Sequence, residues 1–122
     1  MCIRDRDRAI ADFSRALELD PRDAAAYNNR GLAYARKGDL DRAIADYDRA
    51  LELDPRDAAA YNNRGAASAD KGSLDRAIAD FYRALELDPR DAMAYYNRGN
   101  AYADKGDLDR AIADYDLSLI HI

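Results

Sequence analysis

The chain of 122 residues has one cysteine, one histidine, three prolines and no tryptophan, and each scarcity closes off a class of function. A lone Cys2 supplies neither a disulfide framework nor a thiolate cluster for zinc. A lone His121 gives no imidazole cluster, and without a positioned base the hydroxyls of Ser14, Ser68, Ser73 and Ser118 have nothing to activate them. No apolar run approaches the roughly 20 residues that a helix needs to cross a bilayer. Cations are the minority, 19 Lys and Arg against 24 Asp and Glu for a net charge of -5, so a phosphate-neutralising surface is not expected and nucleic acid is excluded as a partner. Lys37 and Gly38 lack the glycine-rich spacing of a phosphate loop. The sequence therefore points to no catalytic residue, no metal site and no cofactor.

What is abundant is small side chains, charge and repetition. Residues 24–57 and 58–91 carry the same residue at 28 of 34 positions, a third copy begins at Ala92, and residues 7–23 match the back half of another copy. Self-similarity at this period marks a solenoid or array, in which each unit is a supersecondary element that buries its apolar face against neighbours. The array spans 7–116: a half unit 7–23, units 24–57 and 58–91, and an incomplete unit 92–116. Residues 1–6 (MCIRDR) and 117–122 (LSLIHI) break the pattern abruptly. They resemble translated sequencing-adapter read-through, which makes the chain an internal piece of a longer array. The alternative is a pair of atypical capping segments, although a cap presents a polar outer face and LSLIHI is apolar.

Each unit reads as two helices. Leu40, Ala43, Ile44, Tyr47, Ala50 and Leu51 form one apolar stripe with Asp41, Arg42, Asp46 and Arg49 off it, an amphipathic helix B. Helix A is alanine-rich and starts after an aspartate suited to N-capping, Asp57 in the second unit. Gly38, Gly72 and Gly106 end the A helices in left-handed conformation, and Asp39, Ser73 or Asp107 then caps helix B. Pro21, Pro55 and Pro89 end the B helices. Gly31, Gly65 and Gly99 lie inside helix A at a cost of about 1 kcal/mol each relative to Ala, which close approach to Ala43, Ala77 and Ala111 would compensate. The Asp and Arg residues recur identically from unit to unit, as solvated-face residues do.

Tyr27, Gly31, Tyr34, Ala43, Tyr47 and Pro55, repeated as Tyr61, Gly65, Ala77, Phe81 and Pro89 and as Tyr95, Gly99, Tyr102, Ala111 and Tyr115, resemble the signature of the tetratricopeptide repeat (TPR) family. Arg30, Arg64 and Arg98 replace the Leu of that signature. Ser68 replaces one Tyr, at a cost of roughly 3 kcal/mol if the site is buried. The resemblance implies an all-α, right-handed α-solenoid of about three and a half helix-turn-helix units. It also implies a non-enzymatic scaffold that binds a protein or peptide in a concave groove lined by the A helices. A rival expectation is a substrate-recruiting segment of a larger enzyme such as a glycosyltransferase or kinase.

The groove residues are those that differ between units. Helix A varies at Leu32/Ala66/Asn100, Arg36/Asp70/Asp104, Ala25/Ala59/Met93 and Asn28/Asn62/Tyr96, whose spacing of three, four and four aligns on one helical stripe. Beside it Asn29, Asn63 and Asn97 form an amide ladder that can donate to and accept from a peptide backbone. Some TPR domains hold carboxylates with a clamp of Lys, Asn and Arg; here only Asn63 matches, and Asn28, Leu32, Met93 and Asn97 stand where the other members would, so a carboxylate clamp is not expected. The interrupted array also leaves an apolar face at each end, which implies head-to-tail self-association.

Overall fold

The computed structural model describes residues 3–122; Met1 and Cys2, including the reading of Cys2 as a solitary thiol, lie outside the described residues. Among these residues the chain is all-α. Seven helices follow one another: α1 (Ile3–Leu19), α2 (Ala24–Lys37), α3 (Leu40–Leu53), α4 (Ala58–Asp70), α5 (Leu74–Leu87), α6 (Ala92–Lys105) and α7 (Leu108–Ile120). Helices α2, α4 and α6 are of type A, and α1, α3, α5 and α7 of type B. They group into two compact units, one holding α1 to α3 and the other α4 to α7. The sequence breaks at the two ends do not interrupt helix, since α1 starts upstream of Asp7 and α7 continues to Ile120.

Local chemistry sets the helix boundaries. Asp23, Asp57 and Asp91 each accept hydrogen bonds from backbone N–H groups of the first turn of the following A helix. Gly38, Gly72 and Gly106 have φ of +92°, +87° and +91°, the left-handed region that a side chain would disfavour. The N–H after each glycine reaches back to the carbonyl of Tyr34, Ser68 or Tyr102 at 2.8 to 2.9 Å, closing a Schellman-type end. Asp39 and Asp107 cap helix B through the N–H of Arg42 and Arg110. Ser73 does not: its side chain makes no capping bond, so the expected equivalence of Asp and Ser fails at this turn. Asp20, Asp54 and Asp88 accept from the N–H of Arg22, Arg56 and Arg90 at 3.1 to 3.2 Å and tie the turns around the prolines.

The glycines inside the A helices are compensated by an aromatic ring. A Cβ on Gly31 would lie 2.7 Å from the ring of Tyr47, and one on Gly65 at the same distance from Phe81. The expected alanine partner contributes only its backbone, the Ala43 carbonyl at 3.1 Å. The helix-B aromatic needs this flat bed because it is wholly enclosed, Tyr47 at 1% and Phe81 at 0% exposure. Burial pushes the Tyr47 phenol up to about 12. In the second unit Ala77, Ile78, Phe81, Ala101, Tyr102 and Ala111 form one core that joins α5, α6 and α7.

The repeated charges are not all solvated. Asp46, Asp80 and Asp114 are buried, and each takes a two-pronged bond from an arginine on helix A of its own hairpin: Arg30, Arg64 and Arg98, at 2.7 to 3.0 Å. This explains why Arg stands uniformly where the family signature has Leu. Arg30 also donates to Ser14 on α1 at 3.2 Å, while Arg98 lies over the ring of Tyr82 on α5 at 4.5 Å. Position 14 is one residue of the unit and 82 is the same residue two periods on, so the arginine is a node between three helices. The hydrogen bond to Asp46 holds Arg30 still further above its ordinary value; burial pulls Arg98 down, and Asp114 more than offsets it.

Two stability predictions follow from these contacts. Replacing Arg64 alone by Leu leaves Asp80 buried without its partner and should cost about 3 kcal/mol. Arg64→Leu with Asp80→Ala restores the apolar solution and should recover at least half of that loss, as measured by urea denaturation of the two single variants and the double. Ser68 is 1% exposed and has an Oγ without a hydrogen-bond partner. A buried hydroxyl without a partner carries its desolvation cost uncompensated, so Ser68→Ala should stabilise by about 1 kcal/mol, seen as a higher thermal midpoint.

Candidate functional site

The outward faces of the A helices, left over once the node and the core are satisfied, carry the variable residues. In the first unit α1 and α2 enclose a cleft of about 220 Å³ lined by Ala9, Phe13, Asn29, Leu32, Ala33 and Arg36. Its floor is apolar and its rim carries one amide and one guanidinium. Asn28 is half-buried beside it and is not part of the lining.

In the second unit a larger cleft of about 410 Å³ lies on α4 and α6. It gathers Ala66 and Asp70 from α4 with Asn97, Asn100 and Asp104 from α6, five of the residues expected from the sequence. Asn97 donates from Nδ2 to Oδ1 of Asn62 at 3.3 Å, which cross-links the two A helices and uses part of the amide ladder inside the chain. Asn63 is half-buried and outside the lining. Met93 and Tyr96 stand further along α6, 60% and 49% exposed. Tyr96 and Asn100 meet Tyr115, Ser118, Leu119 and Ile122 in an adjoining cleft of about 360 Å³.

Sequence reasoning confined the surface to the A helices and missed the helix-B aromatics that line it. Phe13 belongs to the first cleft, and Tyr115 to both clefts of the second unit, its hydroxyl donating to Oδ1 of Asn100 at 2.6 Å. Their place in the apolar stripe reads as core, which is correct for Tyr47 and for the enclosed Phe81, although the Phe81 ring also borders the larger cleft; Tyr115 and Phe13 differ in being half-buried. The C-terminal segment also enters: Ser118 donates to the Ala92 carbonyl at 3.0 Å, and His121 stacks on Tyr95 with centroids 5.5 Å apart. Among the described residues no group of three or more His, Cys, Asp or Glu side chains could hold a metal ion, and no helix is long and apolar enough to cross a membrane.

Family models for the tetratricopeptide repeat match residues 24–57, 46–79 and 92–121, and a model for the TPR repeat matches 6–38 and 67–106. The chain belongs to the tetratricopeptide repeat family. No curated protein matches it significantly. Among solved structures this TPR chain is similar to MamA, with a TM-score of 0.90 at 30% identity over 96% of this chain and 68% of that one. It is also similar to the second TPR domain of Spaghetti (RPAP3) bound to the HSP90 peptide SRMEEVD, with a TM-score of 0.79 at 28% identity over 81% of this chain and 92% of that one. The first TPR domain of the same protein, bound to the same peptide, gives 0.82 and 28% over 84% and 81%. The helix-turn-helix units are therefore those of the TPR solenoid class, and the matches are to repeat scaffolds.

Proposed function

We propose that this TPR chain is a protein-binding scaffold whose A helices hold an extended peptide or a partner segment along their outward faces. The observation that carries this reading is where the units differ. Residues 32/66/100 and 36/70/104 vary among otherwise near-identical repeats, and they line the clefts of both units. The node's arginine and aspartate and the bed glycine are held constant; of the six positions that differ between units 24–57 and 58–91, 32/66 and 36/70 line clefts where a ligand would touch, while 34/68 and 47/81 change in the packed interior, 39/73 at a helix cap and 48/82 beside the node. The peptide complexes of the two Spaghetti domains support peptide binding as the class of activity. They do not carry over their ligand, because Asn28, Met93 and Asn97 occupy the positions where the clamp's cations would stand and Leu32 that of an Asn.

Selection of a phage-displayed decapeptide library on the intact chain should return binders. Leu32→Ala and Asn100→Ala should each weaken a selected peptide that engages its cleft by about tenfold, the scale of one good contact, with unchanged thermal midpoints. A library that yields no binder, or binders indifferent to every cleft substitution, would refute the proposal.

A second reading concerns self-association, and the exposed face of α7 favours it. Ile78 and Leu85 on α5 are covered at 9% and 7% exposure, while the same repeat positions on α7, Ile112 and Leu119, are 58% and 70% exposed beside Leu108 at 62%. A second copy of the chain fits such a face as a head-to-tail neighbour. Sedimentation should show concentration-dependent oligomers that Ile112→Lys with Leu119→Lys abolishes; a monomer at millimolar concentration would rule this out.

A further inference from the structure

The larger cleft of the second unit differs from the rest of the molecular surface in the state of its charges. Most acids in the chain already have partners: Asp80 and Asp114 are spent on the node, Asp91 and Asp107 on helix caps, and Asp75 on Lys105. Asp70 and Asp104 are the exceptions at this site, exposed and without an ion pair or hydrogen bond among the described residues. Lys105, which follows Asp104, is drawn away onto Asp75 and leaves Asp104 unneutralised. Both carboxylates sit in the last turn of their helices, α4 and α6, where the carbonyl end of the macrodipole adds negative potential rather than offsetting it. Beside them the cleft offers the half-buried ring of Tyr115 and an alanine floor.

This is an arrangement for a cation on an aliphatic stem. The alanines and the aromatic ring suit methylenes, the ring face suits a cation, and the carboxylates suit the charged head. With Asn97 donating one Nδ2–H to Asn62 and Asn100 accepting from Tyr115 at Oδ1, the Asn97 Oδ1 and the Asn100 Nδ2 are left to meet the backbone on either side. The sequence gives independent support: between units 24–57 and 58–91 only six positions change, and Arg36 to Asp70 is the one reversal of charge. The first cleft keeps the cation, so the reversal alters which charge can bind at the same repeat position.

We propose that the cleft between α4 and α6 receives a lysine or arginine side chain of the bound peptide, which makes the ligand of this unit basic. The inference rests on the peptide-binding reading above, and the two can fail separately. The probe is N-acetyl-lysine methylamide, titrated into the ¹⁵N-labelled chain, with the N-acetyl-norleucine and N-acetyl-glutamate methylamides as comparisons. The lysine compound should shift the side-chain amides of Asn97 and Asn100 and the backbone amides of Asp70 and Asp104. Asp70→Asn with Asp104→Asn should weaken it on the order of tenfold, the scale of two partly screened ion pairs, and added salt should act in the same direction. Both substitutions lie on the surface, and an unchanged thermal midpoint confirms that the fold is intact. Equal shifts from norleucine, or stronger ones from glutamate, would overturn the assignment of a cationic ligand. Peptides selected on the chain should be enriched in Lys or Arg at one position. Selected peptides without a basic residue would overturn the inference while leaving the scaffold reading, whereas a cleft that takes the lysine probe but returns no peptide would overturn the scaffold reading alone.

Discussion

Each hairpin is organised around a guanidinium held edge-on by a buried carboxylate. An alanine-rich helix has little shape with which to choose its register against a neighbour, and Ala26, Ala33, Ala43 and Ala50 could pack in more than one way. The pair between Arg30 and Asp46 admits one geometry, because two parallel N–H bonds must reach two oxygens at 2.7 and 2.8 Å. Its net contribution to stability is small, since removing both ions from water costs nearly what their attraction returns. Its contribution to uniqueness is larger, because any slipped register leaves Asp46, 6% exposed, without a partner. The tyrosines follow from the same requirement: Tyr27, Tyr61 and Tyr95 each lie near their unit's arginine, at 5.5 to 5.7 Å, and shield it from water.

The node also explains the residue that changes most between units without disturbing the fold. Ser14 meets Arg30 by a hydrogen bond and Tyr82 meets Arg98 by its ring face, two different chemistries at one repeat position. A guanidinium tolerates this because it donates in its plane and attracts electron density above it. A leucine at the same place would have required a shape match from each neighbour.

Period and signature residues were enough to read the internal helix boundaries, the left-handed glycines and the family, but not that helix runs on through the segments where the repeat breaks. The hidden features share a cause, which is that repetition conceals the difference between a residue constant because it is buried and one constant because nothing selects against it. Asp46 and Arg49 both lie off the apolar stripe and both recur, yet only Asp46 is buried; the signal that could have separated them was the unusual Arg30 sixteen residues earlier, a cation placed at an apolar position and therefore in need of an acid. Ser73 was misread for a different reason, as residue type specifies capping capacity and not whether the side chain makes the bond. Of the candidate surface, Leu32, Arg36, Ala66, Asp70, Asn100 and Asp104 were legible because they vary. Tyr115 was not, because an aromatic in the stripe looks the same whether it is enclosed or half open.

Constancy and variation thus divide along one helix according to which way a side chain points. The inward positions of α6 are committed: Gly99 forms the bed for Tyr115, with a Cβ there falling 2.8 Å from the ring, and Arg98 is held by Asp114. Three residues after the arginine Ala101 closes the core and borders the cleft, and three after that Asp104 stands exposed in the cleft without an ion pair. Because position 104 and its repeats 36 and 70 are exposed, the change from Arg36 to Asp70 costs no stability through packing; on the proposed reading it also exchanges one ligand charge for the other. A surface with this property diversifies without refolding. On that reading, a constant node lets the charge at this repeat position be set separately in each hairpin.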